Sequence, residues 1–545
     1  MAYLGRPLAA ISALLGIVLS VGAISGSRSA CLSFAPSSLA SASFSNATHY
    51  ATDTRVNISN AYSSIDVANL PGFCRVELVI TTNATAGSTA LTEVWLPDDW
   101  NGRVLTVGNG GLAGGVTVAE LGHVAVPQGF AGISTNTGHD GGTDDGDWAG
   151  PHNDNAIVDW GWRALHLSVI AGKEIVQQYY GQPAGKSYYL GCSTGGRQGL
   201  KEVQDFPDDF DGVVVGSPAN WQTHLQAWSV HMNLNTEPST SSHFMTEEMW
   251  SDVIAPEVMR QCDELDGLKD GIINDPRICS FRPETLTCRP GQNTSTCLKK
   301  NQIDALHRIY ADYYEGDQTY IFGGYYPGGE TEYYHGLVGK KHFVIGTNYF
   351  GFMVTNDTGF TIHDYNATIL KLADKIDPGQ ANAINPNLTA FAGPSHNGKL
   401  IQYVGWADQL ISPGNTIHYY ETVHEFTLAN TTMDIDDYYR LFLVPGMNHC
   451  HVAPNQGGFA ANAFGSVEQA SNNNPPLSLD PQYNILAAMV QWVEDGVAPD
   501  TITAANYNDN DVANGVGFTR PLCRYPSTIR YQGGDPTSAD SFSCA

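Results

Sequence analysis

Three residues that lie far apart in this 545-residue chain have the types needed to break an ester by nucleophilic attack: Ser193, Asp408 and His449. Ser193 sits in "KSYYLGCSTGGRQGLKEVQDF", where Gly191, Cys192, Ser193, Thr194 and Gly195 form Gly-x-Ser-x-Gly. A serine hydroxyl is a poor nucleophile until a base takes its proton, and the base needs an acid to orient it. "QYVGWADQLISP" puts Asp408 just past an apolar stretch, and "FLVPGMNHC" does the same for His449. Rivals exist: Asp434, Asp436 and Asp437 precede the last apolar stretch rather than following its predecessor, and His451 lacks the immediate position. Cys192 precedes the serine and Cys450 follows the histidine, so a disulfide between them would tie nucleophile to base across a long separation. The competing possibility is two unrelated buried thiols.

Spacing alone does not make a serine reactive; the elements around it do. "SYYL" reads as a short buried strand and "GRQGLKEVQDF" as a helix, so the motif occupies a strand-to-helix turn. Such a turn lifts the hydroxyl above a sheet edge, and the helix N-terminus favours developing negative charge. The strand "DGVVVGSPA" follows at once. Upstream, "RVELVITTNATAGSTALTEVWLP" reads as two strands around a polar turn, and "RVLTV" as a third running into glycines. "WGWRALHLSVIAGKEIVQQYYG" has the apolar spacing and closing glycine of an amphipathic helix. After "GKLIQYVGWADQLISP" and "YRLFLVPGMNHC", a final helix is expected over "QYNILAAMVQWVEDG". Strands alternating with helices imply a parallel α/β sheet, and the order serine, acid, histidine is that of an α/β-hydrolase. Between about 245 and 393 the alternation is lost, and four cysteines fall between Cys262 and Cys297, which reads as an inserted cap. The expected organisation is a signal peptide at 1–25, a catalytic domain at 26–244 and 394–545, and a lid at 245–393.

Composition narrows the class. Hydrophobic residues at 42% and charged residues at only 15% describe a folded globular chain. A net charge of -28 repels nucleic acid and anionic membranes, so neither is an expected partner. The N-terminus carries Arg6 ahead of an apolar run from Leu8 to about Ile24, the pattern of a secretory signal. Ten cysteines and eight Asn-x-Ser/Thr sequons, at Asn46, Asn57, Asn83, Asn293, Asn356, Asn366, Asn387 and Asn430, fit a glycosylated, secreted eukaryotic protein.

The motifs "GCSTGGRQG", "ADQLISP" and "PGMNHC" resemble those of the fungal tannase and feruloyl esterase family, in which Cys-Ser and His-Cys pairs flank an intervening Asp. The resemblance covers nearly the whole mature chain. It implies an α/β-hydrolase core with an inserted lid, and hydrolysis of phenolic-acid esters, either attached to plant cell-wall polysaccharide or of the chlorogenate type. Thr194 stands where a tannase would be expected to carry an acidic residue, so the chain is more similar to the type B feruloyl esterases. A tannase acting on galloyl esters is the alternative, an esterase for small aromatic diesters a third, and a catalytically silent cell-wall binding protein the reading from another class. The lid would supply an aromatic-lined pocket whose Tyr and Trp residues bond phenol hydroxyls. The oxyanion would be held by the N–H of Thr194 and one from "GNGGL", Gly111 or its neighbour Gly110.

In the lid, "CDELDGLKDGIINDPRIC" gathers Asp263, Asp266, Asp270 and Asp275 among glycines, without EF-hand spacing. The residues alone leave a solvated acidic turn as open as a calcium site. The resemblance implies structural calcium, with carboxylates from Asp263, Asp266 and Asp270 and carbonyls from Leu268 and Ile272. Local spacing together with the resemblance pairs Cys262 with Cys279, Cys288 with Cys297, Cys523 with Cys544, and Cys31 with Cys74, although spacing does not prove connectivity.

Overall fold

The computed structural model describes residues 26–37, 39–452 and 460–545; the expected signal peptide lies outside the described residues. The organising element is a nine-stranded sheet: β1 (Ala42–Tyr50), β2 (Phe73–Asn83), β3 (Ser88–Pro97), β4 (Arg103–Val107), β5 (Ala131–Thr135), β6 (Lys186–Cys192), β7 (Gly212–Gly216), β8 (Lys399–Gly405) and β9 (Tyr439–Val444). Their spatial order is β1-β2-β3-β5-β4-β6-β7-β8-β9. The first strands pair antiparallel as far as β3 with β5. From β5 to β9 every pair is parallel. The sequence pattern anticipated all of these strands except β1 and β5. β1 is an edge strand with little buried side chain, and β5, "AGIST", is too short and glycine-broken to show a period.

The parallel half is covered on both faces, which is why its strands read as unbroken apolar runs. Alternate residues feed opposite cores. Tyr188, Leu190, Val214 and Ile401 join the core that takes in helix Ile485–Asp495. Tyr189, Val213, Val215 and Leu400 join the core that takes in α1 (Ala164–Tyr180), α2 (Thr194–Asp205) and helix Pro413–Asn430. Gly181 closes α1 at φ 73°, the left-handed cap expected of it.

Between β7 and β8 the chain adds no strand to this sheet. The stretch packs helices Ala255–Cys262, Lys300–Tyr310 and Ala367–Ile376 around a second core, to which Leu112, Ala149, Ile157, Trp160 and Ile411 from outside the stretch also contribute. That core starts earlier than the change of sequence character at 245. In α3 (Gln222–Leu234), Trp228 meets Phe322 at 5.1 Å and Tyr325 at 5.5 Å. No amphipathic stripe reveals this, because α3 is nearly all buried and meets the insert through polar side chains as well, His224 Nδ1 lying 2.9 Å from the Ile321 carbonyl and Asn233 donating to the Leu337 carbonyl at 2.6 Å. The cysteines form the five expected bridges: Cys31–Cys74, Cys192–Cys450, Cys262–Cys279, Cys288–Cys297 and Cys523–Cys544. Among the described residues no helix is long and apolar enough to cross a membrane.

Candidate active site

Ser193 stands between β6 and α2 at φ 63° and ψ -121°, a conformation that costs an L-residue energy and is kept where surrounding structure enforces it. Two backbone bonds do so: Ser193 N–H donates to the Gly216 carbonyl at 3.0 Å, and the Ser193 carbonyl accepts from Ala219 N–H at 3.0 Å. The flanking glycines are sterically required. A Cβ on Gly191 would lie 2.7 Å from the Gly195 backbone, and one on Gly195 would lie 2.9 Å from the Asn109 carbonyl.

Asp408 follows β8 and is fully buried. Its Oδ1 accepts from the N–H groups of Leu410 (2.9 Å) and Ile411 (2.8 Å), which fix the carboxylate. Both carboxylate oxygens lie 3.0 Å from His449 Nδ1, past the end of β9. Burial pulls the imidazole's pKa down, but the charge and hydrogen bond of Asp408, with Glu468 beyond, outweigh it and hold His449 above its ordinary value. Gln409 adds a support that the sequence did not flag: its Oε1 accepts from His449 N–H at 2.9 Å, while its carbonyl accepts from the Tyr325 hydroxyl at 2.6 Å. The Cys192–Cys450 bridge joins the residues next to Ser193 and His449, with Cα atoms 6.0 Å apart. Of the rivals, Asp436 is engaged by Arg440 and Arg524, whereas His451 pairs with Glu468 and also reaches the cavity.

Ser193 and His449 open onto one cavity of about 530 Å³. Among the described residues no hydrogen bond joins Ser193 Oγ to the imidazole, whose Nδ1 is engaged by Asp408. Thr194, Gly110 and Gly111 line the same space. Thr194 occupies the first position of α2, and neither glycine N–H donates to an acceptor among the described residues, so all three amides are available to a ligand. Thr194 Oγ1 donates to the Gly111 carbonyl at 2.8 Å, and Gln198 Oε1 accepts from Asn109 N–H at 3.0 Å, which pins the glycine loop to α2.

The cavity's apolar lining differs from the expectation. Tyr325, Tyr333 and Tyr349 are buried in the core of the insert, and among aromatic residues of that segment only Phe343 lines the cavity among the described residues. Phe343 and Ile345 are joined there by Leu225, Leu410 and Ile411. Tyr325, Tyr333 and Tyr349 help to build the core of the insert, and no tyrosine of that segment lines this cavity among the described residues.

The Asp-rich loop is turned in on itself. Asp263 Oδ1 accepts from Gly271 N–H (3.0 Å), Asp266 Oδ1 from Leu268 N–H (3.1 Å) and Asp270 Oδ1 from Ile272 N–H (3.1 Å). Asp270 Oδ2 is also held by Arg520 at 2.6 Å. Burial pushes the carboxyls of Asp263 and Asp266 up. The Leu268 and Ile272 carbonyls accept no hydrogen bond from a described residue. The donor set is therefore the hard-oxygen type that suits calcium, although the three carboxylates are more widely spread than a single oxygen shell. Among the described residues only His166, Glu202 and Asp209 bring three such ligand atoms within 4.8 Å of one another.

A nucleophile-elbow serine, a buried Asp–His pair beyond later strands and a glycine loop facing them, all on this sheet, define an α/β-hydrolase. The family model described as "Tannase and feruloyl esterase" matches residues 74–545, and the chain belongs to that family of carboxylic ester hydrolases. It is 36% identical to a probable feruloyl esterase B-2 of Aspergillus flavus over 525 residues, 94% of this chain and 96% of that one. To feruloyl esterase C of Talaromyces stipitatus it is 35% identical, covering 91% and 90%. The crystal structure of feruloyl esterase B from Aspergillus oryzae superimposes with a TM-score of 0.86 at 34% identity, covering 95% of this chain and all of that one. A tannin acyl hydrolase from Aspergillus niger shares the fold at a TM-score of 0.72 and 22% identity, covering 96% and 95%.

Proposed function

We propose that the chain is a secreted serine esterase of the feruloyl esterase type, acting on hydroxycinnamoyl esters such as those of plant cell-wall polysaccharide. The observation that carries this reading is the Asp408–His449 pair facing the same cavity as Ser193 at its strained turn. Ser193 Oγ attacks the ester carbonyl while His449 Nε2 takes its proton, with Asp408 holding the imidazole by Nδ1–H and stabilising its charged form. The tetrahedral oxyanion is received by the N–H of Thr194 and of Gly111, with Gly110 as the alternative second donor. His449 then gives the proton to the leaving alcohol, and water activated by the same base releases the acid. Phe343, Ile345, Leu225, Leu410 and Ile411 suit a flat apolar acyl group.

Two accessory readings belong to the proposal. Calcium held by Asp263, Asp266 and Asp270 with the Leu268 and Ile272 carbonyls would offset the charge of the buried Asp263 and the half-buried Asp266 inside the Cys262–Cys279 loop, a structural role. N-glycans would be carried by the exposed sequons. Asn83 is the poorest of the eight, since its side chain is half-buried and donates to Asn155 Oδ1 at 2.9 Å.

Initial rates on methyl caffeate, ferulate, p-coumarate, sinapate and gallate, with Ser193→Ala as control, test the reading. Cinnamate turnover without gallate turnover, lost in the variant, is the expected result. Dominant gallate turnover would make the enzyme a tannase, and no turnover with no labelling of Ser193 would favour a silent scaffold.

A further inference from the structure

The cavity at Ser193 has two unlike walls. The apolar lining residues Leu225, Ile345 and Ile411 belong to the core of the insert, with Phe343 and Leu410 packed against it. The other wall is polar and is knit together by its own bonds. Glu468 N–H donates to Glu120 Oε1 at 2.9 Å, and Glu468 Oε2 lies 3.2 Å from His451 Nδ1. The Tyr62 hydroxyl stands so close to the glycine loop that a Cβ on Gly110 would lie 2.7 Å from it. Ser471 and Asn472 continue this wall.

Three features indicate that this wall is built for a ligand. Glu468 is held at φ 65° although it is not glycine, a strained posture that its bond to Glu120 helps to fix. Glu120 is only 2% exposed and lines the cavity, yet its Oε2 has no hydrogen-bond partner among the described residues. A buried carboxyl oxygen without a partner is costly unless something fills the place. Burial also pushes Glu120 up to about 8, so at neutral pH it carries a proton to donate. Glu468, with its side chain 44% exposed, is an acceptor.

The reaction decides which half of the ester meets which wall. His449 must reach the leaving oxygen, so the alcohol lies on the His449 side, where Cys450 and His451 follow directly and His451 N–H donates to the His449 carbonyl at 2.8 Å. We propose that Tyr62, Glu120, His451 and Glu468 form a subsite for a neutral, hydroxyl-rich alcohol such as a sugar, and that the Glu468 carboxylate disfavours an alcohol bearing its own carboxylate. The inference rests on the esterase reading above. A donor carboxyl beside an acceptor carboxylate matches neighbouring hydroxyls, each of which both gives and takes a hydrogen bond. The same carboxylate repels a second negative charge brought into a partly dry cleft.

The test compares kcat/KM ratios within one acyl group: a feruloylated arabinoside against methyl ferulate, and chlorogenate, whose quinate carries a carboxylate, against methyl caffeate. The wild type should favour the arabinoside over its methyl ester by about tenfold, as one charge-assisted hydrogen bond supplies, and disfavour chlorogenate against methyl caffeate. Glu468→Gln should reduce the first ratio and raise the second, and Glu120→Leu, which removes the donor that a Gln would keep, should reduce the first. A wild-type ratio near one for the arabinoside, a preference for chlorogenate, or variants that scale both members of each pair equally would overturn the subsite and leave the esterase reading standing. No turnover of any of the four esters would defeat the esterase reading and the subsite with it.

Discussion

The Ser193 turn and the Asp-rich loop of the insert are both sharp bends secured by a disulfide, yet their polar groups are used in opposite ways. Around Ser193, left-handed backbone falls on residues with side chains, Ser193 itself at φ 63° and Cys450 at 65°, as well as on Gly111 at 55°, and Thr194, Gly110 and Gly111 line the cavity with amides that have no partner among the described residues. In the loop between Cys262 and Cys279, left-handed backbone falls on Gly267 and Gly271, and each of Asp263, Asp266 and Asp270 accepts from the loop's own amides. The first bend holds strain and open donors for a substrate. The second satisfies itself, which is the mark of a structural element.

Substitutions at the two bends should therefore separate chemistry from stability. The largest effect is expected for Ser193→Ala, which should lower kcat on the order of a millionfold with the thermal midpoint little changed. Asp408→Asn follows at about 10⁴-fold in kcat, because the imidazole loses the partner that fixes its tautomer. The pH profile sharpens this case. Neutral His449 is the working base, and its pKa stands above the ordinary 6.5, so kcat/KM should rise with pH through a value above 6.5. In Asp408→Asn that acid limb should move down. Gly111→Ala forces a Cβ to 2.5 Å from the Thr143 carbonyl at φ 55°, and displacing that amide should cost about 10²- to 10³-fold in kcat. Replacing Cys192 and Cys450 together by Ser opens a link across 258 residues, a loss of roughly 5 kcal/mol by chain entropy, read by denaturant unfolding. The smallest catalytic effect belongs to the Asp-rich loop: chelation of calcium should lower the thermal midpoint, reversibly on adding calcium back, and leave kcat within about twofold. A chelator that abolished turnover at a temperature where the fold persists would collapse the distinction between the two bends.

Ser193, Asp408 and His449 were legible as candidates because each lies within a few residues of the end of an apolar strand, a position that sequence periodicity can mark. The parallel half of the sheet was legible for the same reason, since burial on both faces leaves runs such as "SYYL" and "GVVVG". Elements fixed by tertiary contact were hidden. β1 becomes a strand by pairing with β2, and α3 belongs to the insert through Trp228, neither of which has a local signature. The polar wall was also invisible: Tyr62 comes from the bend of the hairpin Val56–Ser59 and Ser64–Val67, Glu120 from before β5, and Glu468 from beyond β9, so only folding brings them together. Tyrosine abundance in the insert misled for a physical reason, because a phenol ring fills a core as readily as it lines a pocket.

The most direct test of the account is covalent labelling by a serine-directed phosphonate, followed by peptide mapping. A single adduct on Ser193, formed by the wild type and lost in His449→Ala, is the predicted result. An adduct on another residue, or Ser193 labelling that persists without His449, would contradict a Ser193–His449–Asp408 triad.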